Sequence, residues 1–145
     1  MRTVREDYLI KVVGSQESDD DQHETISLMT RGEFVCKDHN YYITYKESDT
    51  TGYAGCTTTV KAALDGSKVS MLRFGPAPGQ LIVEKGVRHI CHYETGQGSL
   101  SLGLTADEID CGLKEDGGHL RFSYLLDFGE EALSRNTVDI TVRRA

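Results

Sequence analysis

Hydrophobic and polar residues alternate along almost the whole chain. In "HLRFSYLLDF", Leu120, Phe122, Tyr124, Leu126 and Phe128 share one parity, and His119, Arg121, Ser123 and Asp127 share the other. In "SLSLGL", Leu100, Leu102 and Leu104 stand opposite Ser99, Ser101 and Gly103. In "TVDITVR", Val138, Ile140 and Val142 stand opposite Asp139, Thr141 and Arg143. Successive side chains of a strand point to opposite faces, so each segment predicts a half-buried strand. "DYLIKVV", "TISLMT", "EFVCK", "YYITYKES", "GCTTTVKAAL", "KVSMLRF" and "QLIVEK" alternate less cleanly but are rich in β-branched or aromatic residues. The alanines of Ala54–Leu64 suggest helix; its threonine run and flanking glycines favour strand. Glu130–Ser134 reads as a short helical turn or a bulged loop.

Turn sequences punctuate these segments: "KDHN", "DG" at Asp65–Gly66, "PAPG", "KG", "TGQG" and "EDGG". They recur every ~8–14 residues, the spacing of an all-β sandwich or barrel. Short turns between consecutive strands make antiparallel neighbours and an up-and-down meander. Such a meander hides its edges by closing, which predicts an all-β, antiparallel barrel of about eight to ten strands. Its inward set is expected to include Leu100, Leu102, Leu104, Leu120, Phe122, Tyr124, Val138 and Ile140.

Length adds that residues 1–145 form a single domain with no repeat or linker. The net charge of −7 argues against a non-specific grip on nucleic acid. No apolar run approaches the ~20 residues of a membrane helix. The first residues, "MRTVREDYLIKVVGSQ", carry charges within their apolar stretch, unlike a signal peptide, so a cytoplasmic protein is expected. The acidic "ESDDDQHE" reads as a solvated loop. Cys36, Cys56, Cys91 and Cys111 include no C-x-x-C pair and read as free thiols in core or sheet positions. Neither a metal nor a cofactor is expected.

Several stretches together, "YLIKVVGSQ", "TGYAGCTTTVK", "LRFG", "VEKGVRHICHYETGQGSLSLG", "GGHLRFSYLLDF" and "SRNTVDITV", resemble the YwiB-like family of small bacterial proteins. They cover nearly the whole chain in order. The resemblance implies a calycin-like (lipocalin-like) β-barrel. It implies no catalytic residue, cofactor or substrate, and assigns no role to Tyr53 or Cys56 within "TGYAGCTTT".

The richest chemistry lies in "RHICHYETGQGS". On a helix His89 and His92 would share a face and could chelate a metal. On a strand their odd spacing sends them to opposite sides. The more apolar set of Val87, His89, Cys91 and Tyr93 is expected inward, and Arg88, Ile90, His92 and Glu94 outward. The bland interpretation is a core His and Tyr with satisfied hydrogen bonds. The sharper one places His89 and Tyr93 on a barrel cavity, with Arg73 or Arg121 holding an anionic group by a bidentate contact. Alternation assigns no face to Arg73, because "VSMLRFG" has apolar residues on both parities.

Other signatures fail. "GQGSLSLG" starts like a dinucleotide fingerprint but has Ser101 at the sixth position and no following helix. "DEIDCGLKEDGG" has Ile109 at the third position of a calcium loop. No G-x-S-x-G elbow or other nucleophile–base pair is visible, which argues against an enzyme. Two functions are left open. One is a barrel that binds a small amphipathic or anionic ligand. The other is a non-enzymatic interaction or structural protein with a filled barrel and a protein partner.

Overall fold

The computed structural model describes residues 5–18, 23–95 and 98–145, and the side chains of all of these except residues 93–95. Strands fill most of it: β1 (Tyr8–Ser18), β2 (His23–Lys37), β3 (Asn40–Lys46), β4 (Thr57–Ala63), β5 (Lys68–Phe74), β6 (Gly79–Glu84), β7 (Arg88–Thr95), β8 (Gly98–Lys114), β9 (Gly117–Phe128) and β10 (Glu131–Arg144). All ladders are antiparallel, in the order β6-β5-β4-β3-β2-β1-β10-β9-β8-β7. Each strand therefore lies beside its sequence neighbours. The first and last strands pair from Tyr8↔Arg144 to Ser18↔Ser134 in the middle of the sheet, which curls into a nearly closed barrel. No described helix is long and apolar enough to cross a membrane.

Closure is incomplete at one place. β6 and β7 are joined by the Lys85–Gly86 turn and a single bridge, Glu84↔Val87, and share no ladder beyond it. A seam runs between these two strands.

One pair of predicted segments merges: "TISLMT" and "EFVCK" form the one strand β2, and β8 runs on from "SLSLGL" through "DEIDCGLK", for which no strand was expected. A register shift between Ala106 and Glu108 lets the long β8 bend, as bulges do. Ala54–Leu64 contains strand β4, and Glu130–Ser134 opens β10 with a shift between Ala132 and Ser134. The acidic stretch is shorter as a loop than expected, because Glu17 and His23 already pair; residues 19–22 lie outside the described ones.

The two ends of the barrel differ. Tight turns close one end, including Asp38–His39, where both residues have positive φ (52° and 64°). That pair of signs is what a type I′ hairpin turn demands. The other end carries the long connections 47–56 and 75–78. Ile10, Ile43, Val60, Val69, Val83, Leu104, Leu120, Phe122 and Ile140 are fully buried in the interior. Of the expected inward set, Leu102, Leu120, Tyr124 and others are buried and Val138 packs against the core, but Leu100 is 37% exposed. Its parity is inward, yet it sits at the hairpin end of β8, beyond the core. Phe128, at the end of β9, is half exposed for the same reason.

A cavity at the loop end of the barrel

Fully buried side chains fill the turn end and middle of the barrel, and Tyr45, Cys56 and Thr58 are buried toward the loop end. Toward the loop end the interior opens into a cavity of about 620 Å³. Volumes of ~300–1,000 Å³ are usual for small-molecule sites. Met71, Leu81, Tyr124 and Val138 form its apolar wall, and Glu47, Thr58, Arg73, Gln80 and His92 supply polar atoms.

The β4–β5 hairpin settles the face of Arg73. Ala62 pairs with Val69, Val60 with Met71 and Thr58 with Arg73. Ala62, Val69, Val60 and Thr58 are all buried, so Arg73 continues the inward row. Tyr45 on β3 stands beside Thr58 in register. Burial pushes the Tyr45 phenol well above the ordinary tyrosine range; the Glu47 carboxylate adds to this and the Arg73 guanidinium opposes it.

Two loops fix the Arg73 side chain. The first, "ESDTTGYAGC", is a chain of small turns. Ser48 Oγ accepts from Thr50 N (3.2 Å), and Gly52 N donates to Asp49 O (3.1 Å). Glu47 N closes the loop on Cys56 O at 2.9 Å. This brings the Tyr53 ring against Arg73, with the guanidinium carbon 3.6 Å from the ring centre. The second loop supplies Ala77 O, which accepts from Arg73 Nε at 2.7 Å. The buried Cys56 thiol points at the same oxygen from 3.8 Å. Gly75 permits the two loops to meet: it has φ +130°, and a Cβ there would lie 2.9 Å from Gly55 O.

These contacts orient Arg73 without neutralising it. Arg88, Arg135 and Arg144 each ion-pair with an aspartate, whereas Arg73 has no carboxylate partner among the described residues. Glu47 is held separately: Thr58 Oγ1 donates to its Oε2 at 2.7 Å.

The other candidates are dispersed. His89 shares the inward parity of buried Cys91, but it lies near the β6–β7 turn, where its Nε2 is 2.9 Å from Glu84 Oε1. It lines a groove of about 210 Å³ along the seam with Gln80, Ile82, Ile90 and His92; of these, Gln80 and His92 also border the cavity at the loop end, and His89 does not. Arg121 is exposed, opposite Asp139 and Asp110 on the outer face, so it cannot join Arg73. Tyr93 belongs to β7, and the expected facings of Tyr93 and Glu94 lie outside the described side chains. His92 has outward parity and is exposed, with its Nδ1 3.0 Å from Ser101 Oγ. Because β7 is unpaired at the seam, His92 nonetheless borders the cavity. The two histidines thus have opposite parity on β7, yet both border the groove along the seam. Burial pushes the Cys91 thiol between them up.

Sequence reasoning missed Glu47, Tyr53 and Thr58. The one usable signal was the register of the β4–β5 hairpin: counting outward from its turn places Arg73 opposite Thr58.

The model of the domain of unknown function DUF1934 matches residues 10–140. The chain belongs to this family. A crystal structure of the ywiB protein from Bacillus subtilis superposes with a TM-score of 0.74 at 24% sequence identity, covering 95% of this chain and 94% of that one. At that identity the likeness establishes the shared barrel fold alone. No curated protein matches the chain.

Proposed function

We propose that this DUF1934 protein binds a small amphipathic ligand in the open half of its barrel, with an anionic group of the ligand on Arg73. The observation that carries this reading is the state of Arg73. Its guanidinium lines the cavity, stacked on Tyr53 and tied to Ala77 O, with no carboxylate partner among the described residues. A half-buried cation held in place without a counter-ion is preorganised for an anion, and its planar fork suits a carboxylate or phosphate. Met71, Leu81 and Val138 offer an apolar chain a wall to lie on. The four free cysteines fit a reducing compartment such as the cytoplasm.

The test is calorimetric titration of the full chain with octanoate, alongside native mass spectrometry of protein purified from its own cells. The reading predicts one bound octanoate in the intact protein and at least tenfold weaker binding in Arg73→Met. Equal octanoate binding by the two proteins contradicts it, as does failure of the intact protein to bind either octanoate or its 2-amino analogue.

A further inference from the structure

Beside the unpaired guanidinium the same cavity holds a carboxylate. Glu47 lines the same cavity as Arg73 and, among the described residues, does not ion-pair with it. It is no stray surface acid. Its backbone is fixed by the Glu47 N–Cys56 O bond, and its side chain accepts from the hydroxyl of Thr58, a residue 2% exposed. Thr58 is also the cross-strand neighbour of both Tyr45 and Arg73. Both charges act on the Tyr45 phenol from opposite directions. The polar end of the cavity is therefore a built pair of opposite charges around one buried row, each with its own neutral anchor.

Such a pair is selective. A carboxylate accepts hydrogen bonds and donates none when ionised. A simple fatty-acid anion placed on Arg73 would bring a second negative charge beside Glu47, and like charges at short range oppose binding. A ligand with a positive or donor-bearing group next to its anion satisfies both residues.

Resting on the ligand-binding reading above, we infer that the ligand class is a zwitterionic amphiphile: an acid whose anionic group meets Arg73, whose neighbouring ammonium or donor group meets Glu47, and whose apolar chain lies along Met71, Leu81 and Val138. The α-amino acids with an extended apolar side chain are the smallest members of this class.

The experiment compares octanoate with 2-aminooctanoate by calorimetric titration of the full chain, as the natural protein, Glu47→Gln and Arg73→Met. The Glu47→Gln change keeps an acceptor for the Thr58 hydroxyl, so that variant should fold, and its melting transition checks this. The natural protein is expected to bind 2-aminooctanoate at least tenfold tighter than octanoate. Glu47→Gln should erase this preference by weakening 2-aminooctanoate about tenfold while leaving octanoate equal or tighter. Arg73→Met should weaken both. If octanoate binds as tightly as 2-aminooctanoate, or if Glu47→Gln leaves the latter unchanged, the zwitterion inference is wrong while the cavity reading stands. If neither compound binds the natural protein, both are wrong.

Discussion

The guanidinium carbon of Arg73 lies over the ring of Tyr53, 3.6 Å from its centre. One residue comes from a barrel strand and the other from the long loop after β3, so the stack ties the loop to the wall of the cavity. A cation on an aromatic face gains about 0.5–1 kcal/mol where exposed and more where desolvated. Tyr53→Phe should keep the stack, and Tyr53→Ala should release Arg73 and weaken octanoate several-fold. Titration of both variants checks this. Equal affinities would mean that the stack does not preorganise the cation.

On the outer face, Arg88 reaches over Gly103 to Asp127, with Nε 3.1 Å from Oδ2 and Nη2 bonded to Oδ1. Gly103 is what makes room, since a Cβ there would collide with the guanidinium. Gly103→Ala should therefore displace Arg88 and cost stability, and the cost should shrink in an Arg88→Ala background. A double-mutant cycle of chemical denaturation measures the difference.

The same pair sets a pH dependence. The hydrogen bonds from Arg88 hold the Asp127 carboxyl below its ordinary value, against the opposing effect of burial. Its folded pKa is thus lower than its unfolded one, so the unfolded chain takes up the proton first. The pair's contribution is complete above the ordinary aspartate pKa of about 3.9 and is lost as pH falls from there through the folded value. Melting curves of the natural protein and Asp127→Asn should diverge near neutrality and converge in acid. Constant separation down to pH 2 would contradict the assignment.

Phe122 and Phe128 share a parity on β9 and differ in fate. Phe122 is 0% exposed and Phe128 is 50% exposed. Phe122→Ala should cost about 3–5 kcal/mol, and Phe128→Ala should stay within about 0.5 kcal/mol. Urea denaturation of the two variants tests the burial directly.

That contrast shows what the sequence can and cannot convey. Alternation identified the inward faces of β8, β9 and β10, because a two-residue period is a local property. It could not say where a strand outruns the core, and so it misjudged Leu100. Arg73 was ambiguous because Leu72 and Phe74 are apolar on the opposite parity, and only the pairing with buried Thr58 decides it. Glu47 and Tyr53 were illegible for a different reason. They lie in a loop, and what carries them to Arg73 is the β3–β4–β5 ladder with the loop's own turns, which no local pattern records. His92 was assigned outward correctly by period. Its place beside the cavity follows from the seam between β6 and β7, a break in pairing that alternation along β7 does not signal.

The tight turn at Asp38–His39 holds two non-glycine residues at positive φ, where a side chain on an L-residue is crowded. His39→Gly should relieve that crowding and raise stability by up to about 1 kcal/mol, offset in part by the greater freedom of glycine in the unfolded chain. Denaturant midpoints decide it, and a lowered midpoint would mean the His39 side chain contributes more than its backbone strain costs.

The central claim is that the loop end of the barrel, and not the histidine-rich strand near its turn end, is where a ligand sits. An NMR titration with octanoate reads this residue by residue. The account predicts saturable shifts at the Arg73 Nε–H and at the backbone amides of Thr58, Leu81 and Val138, with His89 and Arg121 unmoved. Shifts centred on His89 and the β6–β7 turn, or none at Arg73, would contradict it.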